Sequence, residues 1–155
     1  MAAKILVIED DALVRFFIAE VLGRAGYEVT DLPDAEAGLA HVEQELPDLL
    51  VVDLQLEGMD GMAFLQALRN ADKSLPALVI TAQGAPERAR QALNLGAVDF
   101  VPKPCTAQEL REAVAFALDS TARESRRQAL VRCLIQEPGL PIEMARQRAF
   151  EDVTP

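Results

Sequence analysis

The sequence predicts an α/β protein in which one parallel sheet of five strands is covered by helices on both faces. Short apolar runs alternate with amphipathic segments, and a continuous apolar run is typical of a strand that is buried on both faces. The alternation of strand and helix repeats five times in series, which indicates parallel strands joined by crossover helices.

The first two strand–helix units are predicted within the first 45 residues. Residues 5–8, Ile-Leu-Val-Ile, form a continuous apolar run that ends at acidic residues, and this predicts a buried strand. Apolar residues at helical spacing between 13 and 22 predict the first helix. Residues 27–30 form a weaker second strand, and Asp34 is placed to cap a helix over about 35–45.

The next strands each run directly into a polar side chain. Leu-Leu-Val-Val at residues 49–52 predicts a third buried strand, which continues into Asp53. A helix is predicted at 62–70. Residues 77–80 then form a fourth strand, which ends at Thr81.

The last strand–helix unit has clear start and stop signals. Pro86 suits the first turn of the fourth helix and Gly96 suits its end. The fifth strand covers residues 98–101 and leads into Lys103. A Thr-Ala-Gln-Glu capping box then opens a helix near 110–118, because each side chain can satisfy a backbone donor of the other residue.

A helical extension followed by an irregular tail is predicted for residues 120–155. Arginines and apolar residues fall at helical spacing in its first part, and Pro138 interrupts the pattern. The charge also changes at this point: residues 1–119 carry 9 basic and 20 acidic residues, whereas residues 120–155 carry 6 and 5. We therefore expect a domain over residues 1–119 and a separate extension over 120–155.

Composition excludes several classes of protein. The 155 residues are half hydrophobic and have a net charge of −10, so they can bury a core but are not suited to binding nucleic acid phosphates. No apolar run is long enough for a signal peptide or a bilayer span. The two cysteines lack the spacing of a disulfide framework or a zinc site. We expect a cytoplasmic protein that binds neither nucleic acid nor membranes directly.

Polar side chains follow four of the five predicted strands. Glu9 and Asp10 follow the first strand, and Asp53 follows the third; Thr81 and Lys103 follow the fourth and fifth. Because ligands bind beyond the carboxyl ends of the strands in an open parallel sheet, we expect these side chains to converge on one edge. The sequence thus predicts a site with three carboxylates, one hydroxyl and one ammonium group.

Three carboxylates in a small volume require a counter-charge. Two unit charges ~4 Å apart repel by about 4 kcal/mol at an effective dielectric constant of 20, so the site is expected to bind a proton or a cation. Mg²⁺ suits it because this ion prefers oxygen ligands. Asp53 then has an oxygen available to attack phosphorus, while Lys103 neutralises charge and Thr81 donates to a phosphoryl oxygen.

At these residues the sequence resembles the response-regulator receiver family, the CheY-like phosphoacceptors of two-component signalling. Five motifs carry the resemblance, in order and at the right spacing over about residues 4–119. They are Ile5-Leu-Val-Ile-Glu-Asp-Asp11, Asp48-Leu-Leu-Val-Val-Asp-Leu54, Gly58-Met-Asp-Gly61, Ile80-Thr-Ala82 and Gly96-Ala-Val-Asp-Phe-Val-Pro-Lys-Pro104. The resemblance implies a flavodoxin-like, three-layer fold with the sheet order 2-1-3-4-5.

The resemblance also implies a phosphoacceptor site. Asp53 would be phosphorylated by a partner histidine kinase or phosphotransfer protein. Asp10, Asp53 and the backbone carbonyl of Gln55 would bind Mg²⁺, with Glu9 acting through water. We expect a signalling switch rather than an enzyme, one that assists its own phosphorylation and dephosphorylation.

A switch mechanism and a protein partner are implied in the same way. Thr81 and Phe100 match the family's switch pair, in which the hydroxyl moves towards the phosphoryl group and the ring turns inward. The bond between Lys103 and Pro104 matches one that is usually cis. The face formed by the fourth helix, fifth strand and fifth helix is then expected to bind a downstream protein, and it is a candidate surface for a homodimer.

Three alternative functions share parts of this pattern. An N-terminal receiver of a DNA-binding regulator is disfavoured, because 36 residues after position 119 are too few for the usual output domain. An aspartyl phosphatase resembles a D-x-D pattern, but Gln55 replaces the Asp that would act as general acid. A flavodoxin needs a phosphate-binding loop after the first strand, where Glu9, Asp10 and Asp11 would repel phosphate.

Overall fold

The computed structural model describes residues 2–71, 75–82 and 86–151, and within them five strands form one parallel sheet in the order β2-β1-β3-β4-β5. The strands are β1 (Lys4–Ile8), β2 (Glu28–Leu32), β3 (Leu49–Val52), β4 (Ala77–Thr81) and β5 (Ala97–Pro102). The helices are α1 (Ala12–Arg24), α2 (Ala35–Gln44), α3 (Gly61–Asn70), α4 (Pro86–Asn94), α5 (Ala107–Leu118), α6 (Ser120–Gln136) and α7 (Ile142–Glu151). No helix in these described ranges is long and apolar enough to cross a bilayer. The sheet order confirms the predicted flavodoxin-like, three-layer fold.

The strand register brings the predicted site residues to one edge of the sheet. β1 pairs with β3 so that Ile8 lies beside Val52, which places the following residues, Glu9 and Asp53, next to each other. β4 and β5 also pair up to their carboxyl ends. Lys103, which follows β5, therefore leaves the sheet at the same edge.

Two apolar cores lie on opposite faces of the sheet. Side chains alternate between the two faces along each strand, so neighbouring residues of one strand enter different cores. The core beneath α2, α3 and α4 includes Leu6, Ile8, Leu50, Val52, Val79 and Phe100. The core beneath α1 and α5 includes Ile5, Val7, Leu49, Val51, Leu78 and Ile80. Because both faces are covered, the central strands β1, β3 and β4 appear in the sequence as continuous apolar runs.

Local capping signals set where the helices begin. Asp11 is the N-cap of α1, and its carboxylate accepts a hydrogen bond from the Leu13 amide at 2.9 Å. The predicted capping box of α5 is present: the Glu109 amide donates to Thr106 Oγ1 at 3.1 Å, and the Thr106 amide donates to Glu109 Oε1 at 3.0 Å. These caps satisfy amides that lack partners in the first helical turn.

A second helix forms where the sequence predicted an irregular tail. That prediction was wrong over residues 142–151, since the break at Pro138 only connects α6 to α7. Ile142, Ala145 and Ala149 recur at helical spacing and are buried against the rest of the protein. Two of these three side chains are small, and the larger apolar residue Met144 is exposed, so the sequence pattern of this segment is a weak helix signal. Residues 152–155 lie outside the described residues.

Candidate functional site

Side chains that follow β1, β3 and β5 meet at the carboxyl edge of the sheet. Lys103 Nζ donates to Asp53 Oδ2 at 2.7 Å and to Glu9 Oε1 at 2.5 Å. One carboxylate oxygen from each of Glu9, Asp10 and Asp53 lies within 4.8 Å of the others. The structure thus brings together four side chains that the sequence placed after three different strands.

Two of the three carboxylates are buried, and both oxygens of one of them, Asp53, accept hydrogen bonds. The side chains of Glu9 and Asp53 are 1% and 7% exposed, whereas Asp10 is exposed to solvent. Asp53 Oδ1 accepts a hydrogen bond from the Gln55 amide at 3.0 Å. Both oxygens of the Asp53 carboxylate therefore have donors, and the carboxylate is fixed at the mouth of the site.

Burial and mutual contacts shift three pKa values. Burial raises the pKa of Glu9, and the neighbouring Asp53 raises it further, to about 7, against the opposing effect of Lys103. Burial also disfavours the charged form of Asp53, but its hydrogen bonds with Glu9, Lys103 and the Gln55 amide outweigh burial and lower its pKa. Burial favours neutral Lys103, yet the two carboxylates outweigh this and raise its pKa. Asp53 therefore stays ionised, as a nucleophilic carboxylate must.

The carboxylate cluster fits a hard divalent cation. Glu9, Asp10 and Asp53 offer only oxygen ligands, which is the ligand type that Mg²⁺ prefers. Glu9 Oε2 is buried and has no hydrogen-bond partner among the described residues. Because an unpaired buried carboxylate oxygen is costly, a cation or a water bound to it would satisfy this atom.

The chain after Asp53 turns closely around Gly61. The Gly61 amide donates to the Leu54 carbonyl at 3.1 Å. A Cβ atom at position 61 would lie 2.7 Å from Leu54 Cα and closer still to the Asp53 carbonyl oxygen. The second glycine of the Gly-Met-Asp-Gly motif is therefore required by the close approach of α3 to the backbone of Asp53.

Thr81 and Phe100, the predicted switch pair, are both fully buried on the neighbouring strands β4 and β5. The Thr81 carbonyl accepts a hydrogen bond from the Lys103 amide at 2.9 Å, which ties the end of β4 to the loop that carries Lys103. Phe100 pairs in register with Val79. The bond between Lys103 and Pro104 is cis, as the resemblance implied.

Sequence reasoning missed one residue that supports the site. Arg15 Nη1 donates to the Glu9 carbonyl at 2.7 Å, and its Nε lies 3.4 Å from Asp31 Oδ2. Arg15 therefore connects α1 and β2 to the turn that carries Glu9 and Asp10. A basic residue in the first turns of a helix is too common a feature to have indicated this contact.

The sequence model of the response regulator receiver domain matches residues 5–115. The chain belongs to this family. The match runs from β1 into α5 and contains all five motifs on which the resemblance was based. The extension formed by α6 and α7 lies outside the matched receiver residues.

Several characterised proteins are similar to this receiver. The two-component response regulator PhoP of Pseudomonas aeruginosa is 36% identical over 152 residues, which cover 98% of this chain and 65% of PhoP. Sporulation initiation phosphotransferase F of Bacillus subtilis is 31% identical over 114 residues, 74% of this chain and 92% of that protein. The crystal structure of NtrX from Brucella abortus superimposes with a TM-score of 0.73 at 33% identity, over 86% of this chain and 31% of NtrX.

These relatives differ in length. The receiver described here spans just under two thirds of the Pseudomonas PhoP and 24% of the response regulator FleR from the same organism, to which it is 38% identical over 115 residues. It spans 98% of a putative response regulator from Chloroflexus aurantiacus, with a TM-score of 0.71 and 34% identity over 76% of this chain. The shared unit among them is therefore the receiver domain.

Proposed function

We propose that this receiver accepts a phosphoryl group on Asp53 from a histidine kinase or a phosphotransfer protein. Mg²⁺ would be held by Asp10, Asp53 and the Gln55 carbonyl, with Glu9 acting through water. The observation that carries the proposal is the ammonium group of Lys103, which contacts the Asp53 carboxylate at 2.7 Å beside a cluster of three carboxylates.

The arrangement suits phosphoryl transfer. A carboxylate oxygen of Asp53 forms a bond to phosphorus while the bond between phosphorus and the donor breaks, and the leaving group keeps that electron pair. The Gln55 amide orients the Asp53 carboxylate. Lys103 Nζ is placed to neutralise the oxygens of the incoming group, and Mg²⁺ held by the carboxylates would supply further positive charge there. Positioning and charge neutralisation are the main requirements of this reaction.

The switch pair would transmit phosphorylation to the surface. Thr81 lies at the end of β4, next to the loop that carries Lys103, and would donate to a phosphoryl oxygen. Phe100 lies on the adjacent strand β5 and is packed without solvent contact. Thr81 pairs in register with Pro102 of β5, so a shift of Thr81 would be transmitted to that strand.

The start of α1 is the surface where we expect the phosphoryl donor to dock. Leu13 and Phe16 are large apolar side chains that are 82% and 66% exposed. A groove lined by Leu13, Phe17 and Pro104 continues to Lys103 itself. Contiguous exposed apolar surface commonly marks a protein–protein contact, and a donor seated here would reach the phosphoacceptor.

Two downstream outputs of phosphorylation are candidates. One is a receiver whose phosphorylation changes protein binding at α4, β5 and α5. The other is the receiver of a longer DNA-binding regulator, which is compatible with the similarity to PhoP, of which this chain spans 65%. The homodimer through α4, β5 and α5 stays a prediction, and it requires α6 and α7 to leave that face. The gene sequence after codon 155 separates the two candidates.

Intact-mass measurement after incubation with acetyl phosphate and Mg²⁺ tests the proposal. The unmodified sequence should gain one phosphoryl group, Asp53→Asn should gain none, and EDTA should abolish labelling. Asp48→Asn is the matched control, because Asp48 precedes β3 at the opposite edge of the sheet and accepts the Lys4 amide at 2.8 Å, a hydrogen bond that an asparagine oxygen can also accept. Labelling of Asp53→Asn at the unmodified level would show that another residue is the acceptor.

A further inference from the structure

The C-terminal extension covers the surface that α4, β5 and α5 would otherwise present to solvent. α6 packs against all three elements, and α7 packs against α6 and β5. Six side chains of these two helices are buried in the core that contains Phe100, namely Ala129, Leu130, Leu134, Ile142, Ala145 and Ala149. We call α6 and α7 together the cap, and the surface of α4, β5 and α5 the β5 face. The expected output surface is therefore occupied by the chain's own residues.

A buried ion pair joins the cap to β5. Arg146 of α7 donates to Asp99 of β5 through Nε at 2.9 Å and through Nη2 at 3.0 Å. Asp99 is 3% exposed, and its Oδ1 also accepts the backbone amide of Phe100 at 2.7 Å. The Asp99 carboxylate thus links α7 to the backbone of the predicted switch residue. A bidentate ion pair of this kind requires a specific geometry, and removal of one partner leaves the other charge buried and unpaired.

Two further arginines attach the cap to α4 and α5. The Arg126 guanidinium stacks between the rings of Phe116 in α5 and Phe150 in α7, at 4.0 and 3.7 Å from their centroids. Arg127 Nη2 donates to the Leu93 carbonyl at the end of α4, at 2.9 Å. The cap is therefore fixed to each of the three elements of the β5 face by at least one polar or cation–π contact.

β5 connects the cap to the phosphoacceptor site. Asp99 and Phe100 lie in the middle of this strand, and Lys103 follows its last residue. Lys103 is bound through its amide to Thr81 and through Nζ to Asp53. A phosphoryl group on Asp53 would compete for the Lys103 ammonium, so it would act on the same strand that the cap holds.

We propose that the cap is an autoinhibitory element that docks on the β5 face of the unphosphorylated receiver and is loosened by phosphorylation. The proposal rests on the phosphoacceptor function proposed above. The Asp99–Arg146 pair and the packing around Phe100 require the position that β5 has while Lys103 binds Asp53, and closely packed contacts lose fit when one side shifts. By linkage, a cap that prefers the unphosphorylated form must also oppose phosphorylation, by the same factor.

Hydrogen exchange of the full chain tests the effect of phosphorylation on the cap. After treatment with acetyl phosphate and Mg²⁺, amides of α7 should exchange at least about 5-fold faster, the lower end of typical couplings between sites. Amides of α2, which lies away from β5, serve as the internal reference. The intact mass of the same sample separates two failures. A sample without a phosphoryl group overturns the proposed function, whereas a labelled sample with unchanged α7 exchange overturns the cap alone.

The reciprocal effect is measured by calorimetric titration with beryllium fluoride and Mg²⁺, a reversible phosphoryl analogue. Arg146→Ala should bind it about 5- to 150-fold more tightly than the unmodified chain. Arg148→Ala is the matched control, because Arg148 also lies in α7 but pairs with Glu137 at the surface. Should Arg146→Ala misfold, the double variant that combines Asp99→Ala and Arg146→Ala removes both charges of the pair. Its affinity for beryllium fluoride should rise by the same factor. Unchanged affinity in the folded variant would overturn the proposal.

Discussion

Replacement of Gly61 by alanine is expected to displace Asp53, the proposed phosphoacceptor, without changing any side chain of the site. An added Cβ would lie 2.7 Å from Leu54 Cα, whereas ordinary contacts begin at 3.4 Å, so the start of α3 or the backbone after Asp53 must move by about 0.7 Å or more. Overpacking of this kind costs about 1–3 kcal/mol of unfolding free energy. A displacement approaching 1 Å at a reacting group slows a reaction by about 100-fold. Urea unfolding and the rate of labelling by acetyl phosphate measure the two effects.

Gly23→Ala is the control for this substitution. Gly23 lies in α1, and a Cβ added there meets no atom within 4 Å. Alanine should therefore raise the unfolding free energy by up to about 1 kcal/mol through its better helix propensity, and labelling should be unchanged. If Gly61→Ala unfolds and is labelled like the unmodified chain, the close approach of α3 does not position Asp53, and the reasoning fails.

Three other substitutions test separate parts of the account. Lys103→Ala should slow labelling by acetyl phosphate by about 100-fold without abolishing it, because a charge-stabilising donor is lost. The affinity of this variant for its partner should be equal with and without phosphoryl donor. A labelling rate equal to that of the unmodified chain would contradict the role of the ammonium group. Phe16→Ser should reduce the rate of phosphoryl transfer from a protein donor by about tenfold, because apolar contact with that donor is lost, while labelling by acetyl phosphate stays the same. Equal losses with both donors would argue against docking on α1. Thr106→Ala should lower the unfolding free energy by about 1 kcal/mol in urea, because it removes the capping box of α5; no change would mean that the box adds nothing.

The fold and the centre of the site were predictable because they depend on local patterns. The central strands β1, β3 and β4 contain continuous apolar runs, and the residues that follow these runs, Glu9, Asp53 and Thr81, are site candidates. The rule that parallel strands end at one edge then brought Glu9, Asp53 and Lys103 together, although the bonded pairs are 94 and 50 positions apart.

The cap could not be predicted in the same way. The three residues that α7 buries are Ile142, Ala145 and Ala149, two of which are small, so its apolar pattern is weak. Its position also depends on the pair between Asp99 and Arg146, which are 47 positions apart and belong to no sequence motif. Arg15 was missed for a similar reason, since its partner is a backbone carbonyl. Contacts of this kind follow from the tertiary packing of particular side chains and have no spacing signature.

The site of phosphorylation is the most direct test of the central claim. Borohydride reduces an aspartyl phosphate to homoserine, so the chain should be labelled with acetyl phosphate and Mg²⁺, reduced, digested and analysed by peptide mass spectrometry. The account predicts homoserine at position 53 and unmodified aspartate at positions 10 and 11. Homoserine at either of those positions, with aspartate retained at 53, would contradict it.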